Sequence, residues 1–384
     1  MQSNYTPLGK YINEVKNRNT NGSVNTLLGV NIDKYFMPSV ANIVGTDLTK
    51  YKVVKQGQFA CNRMHVGRDK RLPVALSTKG DAFLVSPAYD VFEIKDENTL
   101  NPEYLMMWFS RKEFDRNAWF YTDADVRGGL HWKVFCEMTL FIPSIEKQKE
   151  IVAEYNIIVD RIKLNEQLNQ KLEETAQAIY KQWFVDFEFP DENGKPYKSS
   201  GGEMEYNNEL NYEIPKGWYL INWSEISSLE YGKGLRNYRI GQGDVPVYGT
   251  NGQVGLTNKP LVAKPGIVIG RKGVYRGVHF SPVPFWVIDT AFYFEPKVKL
   301  SLKWAFFELL RLDINSLESG SAIPSTSRDD FYEKKCVLPL NLILDLFESL
   351  ATILHNRQVE IQNQNKLLFE LVSVLNGKIS IGNN

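Results

Sequence analysis

The side chains in this sequence that could do chemistry are mostly cations, amides and aromatics, and the chemistry they suit is recognition. Arg and Lys donate to phosphate oxygens and to guanine edges, while Asn and Gln fit adenine. Early in the chain, Arg63, His65, Arg68, Lys70 and Arg71 follow a strand-like segment. Arg127 and His131 flank the glycine pair of Arg127-Gly128-Gly129-Leu130-His131, where the backbone can approach a ligand closely. Later, the corresponding set is Tyr248, Asn251, Arg271, Lys272, Tyr275, Arg276 and His279, with Ser325, Ser327 and Arg328 further on. A solvated surface charge or a core-anchored aromatic is the plain alternative at each position.

Charge distribution favours the recognition reading over the net value. The chain balances 45 Lys and Arg against 45 Asp and Glu, which by itself argues against a polyanionic partner. Residues 48–80, however, carry eight Lys and Arg against the single acid Asp69, and residues 245–288 carry five and no acid. The balancing carboxylates, such as Glu146, Glu150, Glu154, Asp160, Glu166, Glu173 and Glu174, fall in a long polar helical stretch.

Catalytic sets are not legible. His65, His131, His279 and His355 are scattered without ligand spacing. Cys61, Cys136 and Cys336 form no CxxC pair and suit free thiols in a reducing compartment. Gly232-Lys233-Gly234 and Gly241-Gln242-Gly243 match neither a dinucleotide fingerprint nor a P-loop. Asn101-Pro102-Glu103-Tyr104 is close to the Asn-Pro-Pro-Tyr motif of DNA amino-methyltransferases, but Glu replaces the second proline and no glycine-rich cofactor loop stands nearby. A capping asparagine followed by a helix-opening proline accounts for it better. Pro190-Asp191, Glu192 and Lys195 hint at a nuclease core, yet all sit in one turn-rich stretch where a strand should separate them. The chain is expected to catalyse nothing alone.

The elements that must position the candidate residues occur twice. Lys55-Gln56-Gly57 answers to Lys264-Pro265-Gly266, Phe92-Glu93 to Phe294-Glu295, Phe141-Ile142-Pro143 to Val337-Leu338-Pro339, and Lys171-Leu172 to Lys366-Leu367. The offset shrinks from 209 to 195 along this series, so the copies differ by loop insertions, and the period is far too long for a solenoid. Strands are expected at Val53-Val54, Phe59-Ala60-Cys61 and 89–94, and a helix over 104–117 capped by Asn101. Ile151, Tyr155, Ile158, Ile162, Leu172, Ala176, Ile179 and Trp183 make a heptad-like seam carrying Asn165 and Asn169. A second seam runs from Phe347 to Leu375, interrupted by Arg357 and Gln364. No stretch reaches the roughly 18 apolar residues of a membrane span. The segment Met1–Leu8 lacks the apolar run of a signal peptide, so a cytoplasmic protein is expected.

Taken in order, these features resemble the specificity subunits of type I restriction–modification enzymes over nearly the whole chain. The resemblance rests on the duplicated globular-plus-helix plan, Lys55-Gln56-Gly57-Gln58-Phe59, Val85-Ser86-Pro87-Ala88-Tyr89, the Pro143 boundary before Ile145-Glu146-Lys147-Gln148-Lys149-Glu150-Ile151, Ile214-Pro215-Lys216-Gly217-Trp218, and Pro246-Val247-Tyr248-Gly249-Thr250-Asn251-Gly252. It implies an α+β fold with two pseudo-repeated globular α/β target recognition domains separated by two long antiparallel coiled-coil helices. The expected boundaries are 1–143 and 215–339 for the domains, 144–185 and 340–376 for the helices, 186–214 for a linker and 377–384 for a tail. It further implies a non-catalytic subunit that reads a bipartite double-stranded DNA site, docks two methyltransferase subunits and is joined by restriction/translocase subunits. AdoMet, ATP and Mg2+ belong to those partners, with no cofactor in this chain and no membrane contact. A subunit of a methyltransferase-only or type IIB-like system, or a coiled-coil scaffold, are the alternatives.

Overall fold

The computed structural model describes residues 5–39, 45–64, 66–78, 80–122, 128–240, 243–317 and 324–378. They form two compact units: Met1–Glu166 with Gln362–Asn384, and Gln167–Ile361.

The first unit is built on an antiparallel sheet in the order Ile12–Val15, Asp90–Ile94, Phe59–Cys61, Val74–Leu76. Phe59 pairs with Phe92 across the sheet, and their rings stack at 4.9 Å beneath Phe109 and Phe135. The Asn-Pro dipeptide is a helix start: the Asn101 carboxamide oxygen accepts from the Glu103 and Tyr104 amides at 2.8 and 3.0 Å, and Pro102 opens the helix. The single helix expected over 104–117 is two helices, Pro102–Phe109 and Lys112–Phe120. The break lies at Ser110-Arg111, where the Ser110 hydroxyl bonds back to Met106 and Arg111 is buried in extended geometry.

In the second unit the strand order repeats: Ser227–Tyr231, Ala291–Pro296, Gly266–Gly270, Val278–Ser281, again antiparallel. A three-stranded sheet, Gly252–Thr257, Val245–Gly249 and Trp286–Val287, is added beside it. The stretch read as a linker is structured. Met204–Asn207 pairs with Tyr212–Pro215, and Phe187 and Phe189 are buried in one core with Trp218. Phe189 stacks on both Tyr197 and Trp218, at 4.5 and 5.0 Å. Burying a large apolar side chain is worth roughly 1.5–3 kcal/mol, so these aromatics outweigh the turn formers between them. Asp191, the carboxylate of the nuclease-like fragment, accepts from the Asn193 and Lys195 amides at 2.8 Å each and simply closes a turn.

Two helices span most of the repeat's polar sequence: Ile145–Tyr180, continued by the π-helical turn Lys181–Val185, and Asn341–Lys378. Within the second unit their segments run antiparallel. Gln358 donates to the Asn169 carbonyl and to Glu173 at 3.3 and 3.4 Å, while the Tyr180 and Phe184 rings meet Phe347 at 6.3 and 5.0 Å. Within the first unit, buried Asn165 donates to Gln364 at 2.8 Å and to Asn365 at 2.7 Å. The polar seam residues thus face one another, where a misaligned pairing would leave buried amides unsatisfied.

Candidate nucleic-acid interface

In the second unit three segments distant in sequence are sewn together by backbone bonds. The chain leaves strand Gly266–Gly270 into a loop, 271–277, that returns as strand Val278–Ser281. The Thr326 amide donates to the Arg271 carbonyl at 2.8 Å, and the Gly273 amide to Pro324 at 2.9 Å. The Gly277 amide donates to Thr250 at 3.1 Å, and the Thr250 hydroxyl reaches the carbonyls of Lys272 and Thr290 at 2.8 and 2.9 Å. These bonds gather Asn251, Arg271, Lys272, Tyr275, Ser325 and Arg328 at one end of the unit.

Tyr231 organises the cations. The Arg271 guanidinium lies 4.8 Å from its ring centre and the Arg328 guanidinium 4.9 Å. Each such contact contributes about 0.5–1 kcal/mol at an exposed site, enough to orient a side chain without neutralising it. Arg271 also donates to the Asp289 carbonyl at 3.0 Å. Among the described residues, Arg271, Lys272 and Arg328 have no carboxylate partner, so their charge remains available to an anion.

The other candidates in this unit take supporting places. Arg276 is 4% exposed, and its guanidinium donates to the carbonyls of Gly273 and Asn315 at 3.1 and 2.8 Å. It holds the loop from inside, leaving Tyr275 at the tip 78% exposed. His279 packs under the loop, where a Cβ on Gly277 would come within 2.6 Å of its ring. Burial pulls the His279 pKa down, favouring the neutral ring, against an opposing hydrogen bond to the Thr250 backbone. Tyr248 is half-buried, edge-on to Phe285 at 5.9 Å. The Ser327 hydroxyl caps helix Arg328–Glu333 by accepting from the Asp330 amide at 3.1 Å.

The first unit repeats the crossing at equivalent positions. The Leu130 amide donates to the Arg63 carbonyl at 3.0 Å, just as Thr326 does to Arg271, and His131 begins helix Trp132–Glu137 as Ser327 begins its counterpart. Gly67 and Gly128 touch backbone to backbone, the amide of one donating to the carbonyl of the other at 2.7 Å. A Cβ on Gly67 would meet the Gly128 Cα at 2.7 Å, so glycine is required at this contact.

Electrostatically, however, this site differs. The Arg63 guanidinium pairs with Asp90 at 2.7 Å, donates to the Leu130 carbonyl and lies over Trp132, so it fixes the crossing. Arg68 makes a two-pronged pair with Asp69 at 2.6 and 2.9 Å, while Arg71 pairs with Asp33 at 2.9 Å and with buried Asp115 at 3.7 Å. An exposed pair such as Arg68–Asp69 is worth about 0–1 kcal/mol, so a phosphate could compete for Arg68, whereas buried Asp115 anchors Arg71. Among the described residues Lys70 has no carboxylate partner, and its ammonium sits 4.9 Å from the Trp119 ring centre. His65 and Arg127 lie outside the described residues.

Tyr231, Thr250, Thr290, Asn315 and Trp119 are participants that spacing in the sequence did not flag. Their roles depend on contacts across strands and loops, and no local signal marks them. No helix among the described residues is long and apolar enough to cross a membrane, and they contain no grouping of three His, Cys, Asp or Glu that could hold a metal ion.

No protein-family profile matches the chain. It is 29% identical over 160 residues to the type I restriction enzyme HindI specificity subunit of Haemophilus influenzae, a match covering 41% of this chain and 34% of that protein. It is 23% identical over 309 residues to the type I restriction enzyme MjaIX specificity subunit of Methanocaldococcus jannaschii, covering 73% of this chain and 68% of the relative. The first match thus spans only about a third of its relative's length. Among solved structures, the S subunit of a type I restriction–modification system from M. genitalium aligns with a TM-score of 0.59 at 14% identity, over 98% of this chain and 96% of that one. A chain from a study of type I system assembly and conformational transition aligns with a TM-score of 0.50 at 15% identity, over 98% and 97%. The resemblance to type I specificity subunits is therefore found in sequence, and the fold is shared with solved S-subunit structures.

Proposed function

We propose that the chain is the DNA-specificity subunit of a type I restriction–modification system, each globular domain reading one half of a bipartite target. The observation that carries this is the repeated crossing: the same strand order feeds Arg63 and Leu130 in one unit and Arg271 and Thr326 in the other. Arg271, Lys272 and Arg328 would contact bases or phosphates in the second half-site. Lys70, Arg68 and Arg71 would do so in the first, with His65, Arg127 and His131 as further candidates there.

The two long helices would set the spacing between half-sites and receive two methyltransferase subunits, with restriction/translocase subunits joining that core. Ile157, Leu164, Leu367 and Phe369 on these helices are exposed, which offers a docking partner apolar surface to cover. AdoMet, ATP and Mg2+ would act in the partner subunits, and this chain would supply recognition without catalysis, in the cytoplasm. A methyltransferase-only or type IIB-like assembly would use the same recognition. Methylome sequencing of the host with and without the gene tests the proposal: one bipartite motif should lose methylation with the gene. An unchanged methylome would refute it.

A further inference from the structure

Helix Lys112–Phe120 ends in aromatics that solvent reaches: Trp119 is 43% exposed, Phe120 78% and the following Tyr121 52%. Three consecutive rings outside a core are costly to leave wet and signal a surface with a partner. The one described ring contact of Phe120 is Tyr121, edge-on at 5.2 Å. The group is held firmly in place. Phe114 and Ala118 on the same helix are buried in the unit's core, and Asp115 is tied to Lys34 at 2.7 Å and to the Leu72 amide at 3.1 Å. The Thr122 hydroxyl and amide both donate to the Trp119 carbonyl, at 2.7 and 3.1 Å.

The surroundings say what the partner is. Among the described residues Lys70 has no carboxylate partner and lies on the Trp119 face at 4.9 Å, and Arg68 on the same segment is in an exposed pair with Asp69. An exposed ring framed by cations suits a ligand with both phosphates and flat apolar faces. The second unit has the same juxtaposition by other means, with Tyr275 at the loop tip next to Arg271 and Lys272. Trp119, through Lys70, and Tyr275 both stand by the segment that follows the equivalent central strand, Phe59–Cys61 or Gly266–Gly270.

We propose that Phe120 is an apolar probe that inserts against the base stack of the first half-site, with Lys70 and Arg68 on the flanking phosphates, and that Tyr275 plays the same part in the second. This rests on the DNA-reading role proposed above. The Phe120 ring has no group to hydrogen-bond a base edge, so it reads deformability: stacking on a base face is favourable, and opening a step is least costly at pyrimidine–purine steps. Phe120 would therefore impose a preference at a position no polar side chain touches.

The test uses the full chain assembled with its methyltransferase subunits, and duplexes of the methylated target carrying 2-aminopurine at successive positions of the first half-site. Binding of the unaltered complex should raise fluorescence at one step, away from the methylated base that a methyltransferase itself takes out of the stack, as the mark of local unstacking. Phe120→Ala should abolish that rise and weaken binding roughly tenfold, the scale of one lost aromatic–base stack, while Phe120→Trp should keep both. A silent 2-aminopurine scan with the unaltered complex bound, or an unchanged scan with Phe120→Ala, overturns the probe and leaves the DNA-reading role standing. Loss of the methyltransferase subunits from the Phe120→Ala complex also overturns it, assigning the ring to a protein contact. Failure of the unaltered complex to select its duplex would instead overturn the DNA-reading role itself.

Discussion

Cations of the same type differ at the two candidate sites in how far a carboxylate or burial against backbone carbonyls already holds them. Among the described residues no carboxylate pairs with Lys272 or Arg328, so each should release counterions when a phosphate replaces solvent. Lys272→Ala or Arg328→Ala should lower the slope of log affinity against log salt by about 0.9 per contact, read by titrating the assembled complex onto its duplex at several ionic strengths. An unchanged slope would place both away from phosphate. Arg63 and Arg276 should behave otherwise. Arg63→Ala leaves the half-buried Asp90 carboxylate without its partner, and Arg276→Ala strips donors from the loop carbonyls. Each should cost about 2 kcal/mol of stability, whereas Arg68→Ala, losing an exposed pair, should stay within about 0.5 kcal/mol. Chemical denaturation of the three variants separates the two classes.

Elements carry the geometry between residues. Gln358 meets Glu173 across the antiparallel helices, so four residues added after Glu174 and four before Arg357 would lengthen both helices together. That adds about 6 Å, close to one turn, and DNA rises about 3.4 Å per base pair. The gap in the methylated motif should grow by roughly one to two base pairs with both half-sites unchanged. A fully active variant with the original gap would show that the helices do not measure DNA. The same helix carries a pH signature. Burial lowers the His355 pKa below 6.5, with the Lys303 charge acting in the same direction and Glu173 opposing. The unfolded chain takes up that proton first as pH falls, so stability drops below about pH 6.5 and levels off beneath the folded pKa. His355→Gln should flatten this part of the stability profile, measured by denaturant titration between pH 7 and 5.

At the scale of the molecule, two units with one strand order should be separable readers. Exchanging residues 1–143 for the matching part of a relative should alter one half of the methylated motif and spare the other, read genome-wide. A change in both halves would refute modular reading. The purified chain alone should transfer no methyl groups, and adding the modification subunit should restore AdoMet-dependent methylation. Transfer by the chain alone would show a catalytic set that carries none of the known sequence motifs.

Sequence by itself determined the duplication, the Asn101-Pro102 cap, the strand around Phe59, the long helices and the polar residues on their seam. All of these are written in local patterns: alternation, helical period and capping chemistry that act within a few residues. It also located the segments that gather at each candidate site, because glycines and clustered cations are visible in one dimension. Only the tertiary structure decided which cations remain available. Arg271 and Arg276 look alike in sequence, yet one lies on Tyr231 without a carboxylate and the other is buried against loop carbonyls. It likewise decided that 186–214 is anchored to the core, since Phe187 and Phe189 find Trp218 only after the chain has turned back. Burial and charge pairing depend on partners dozens to hundreds of residues away, and no local pattern encodes them.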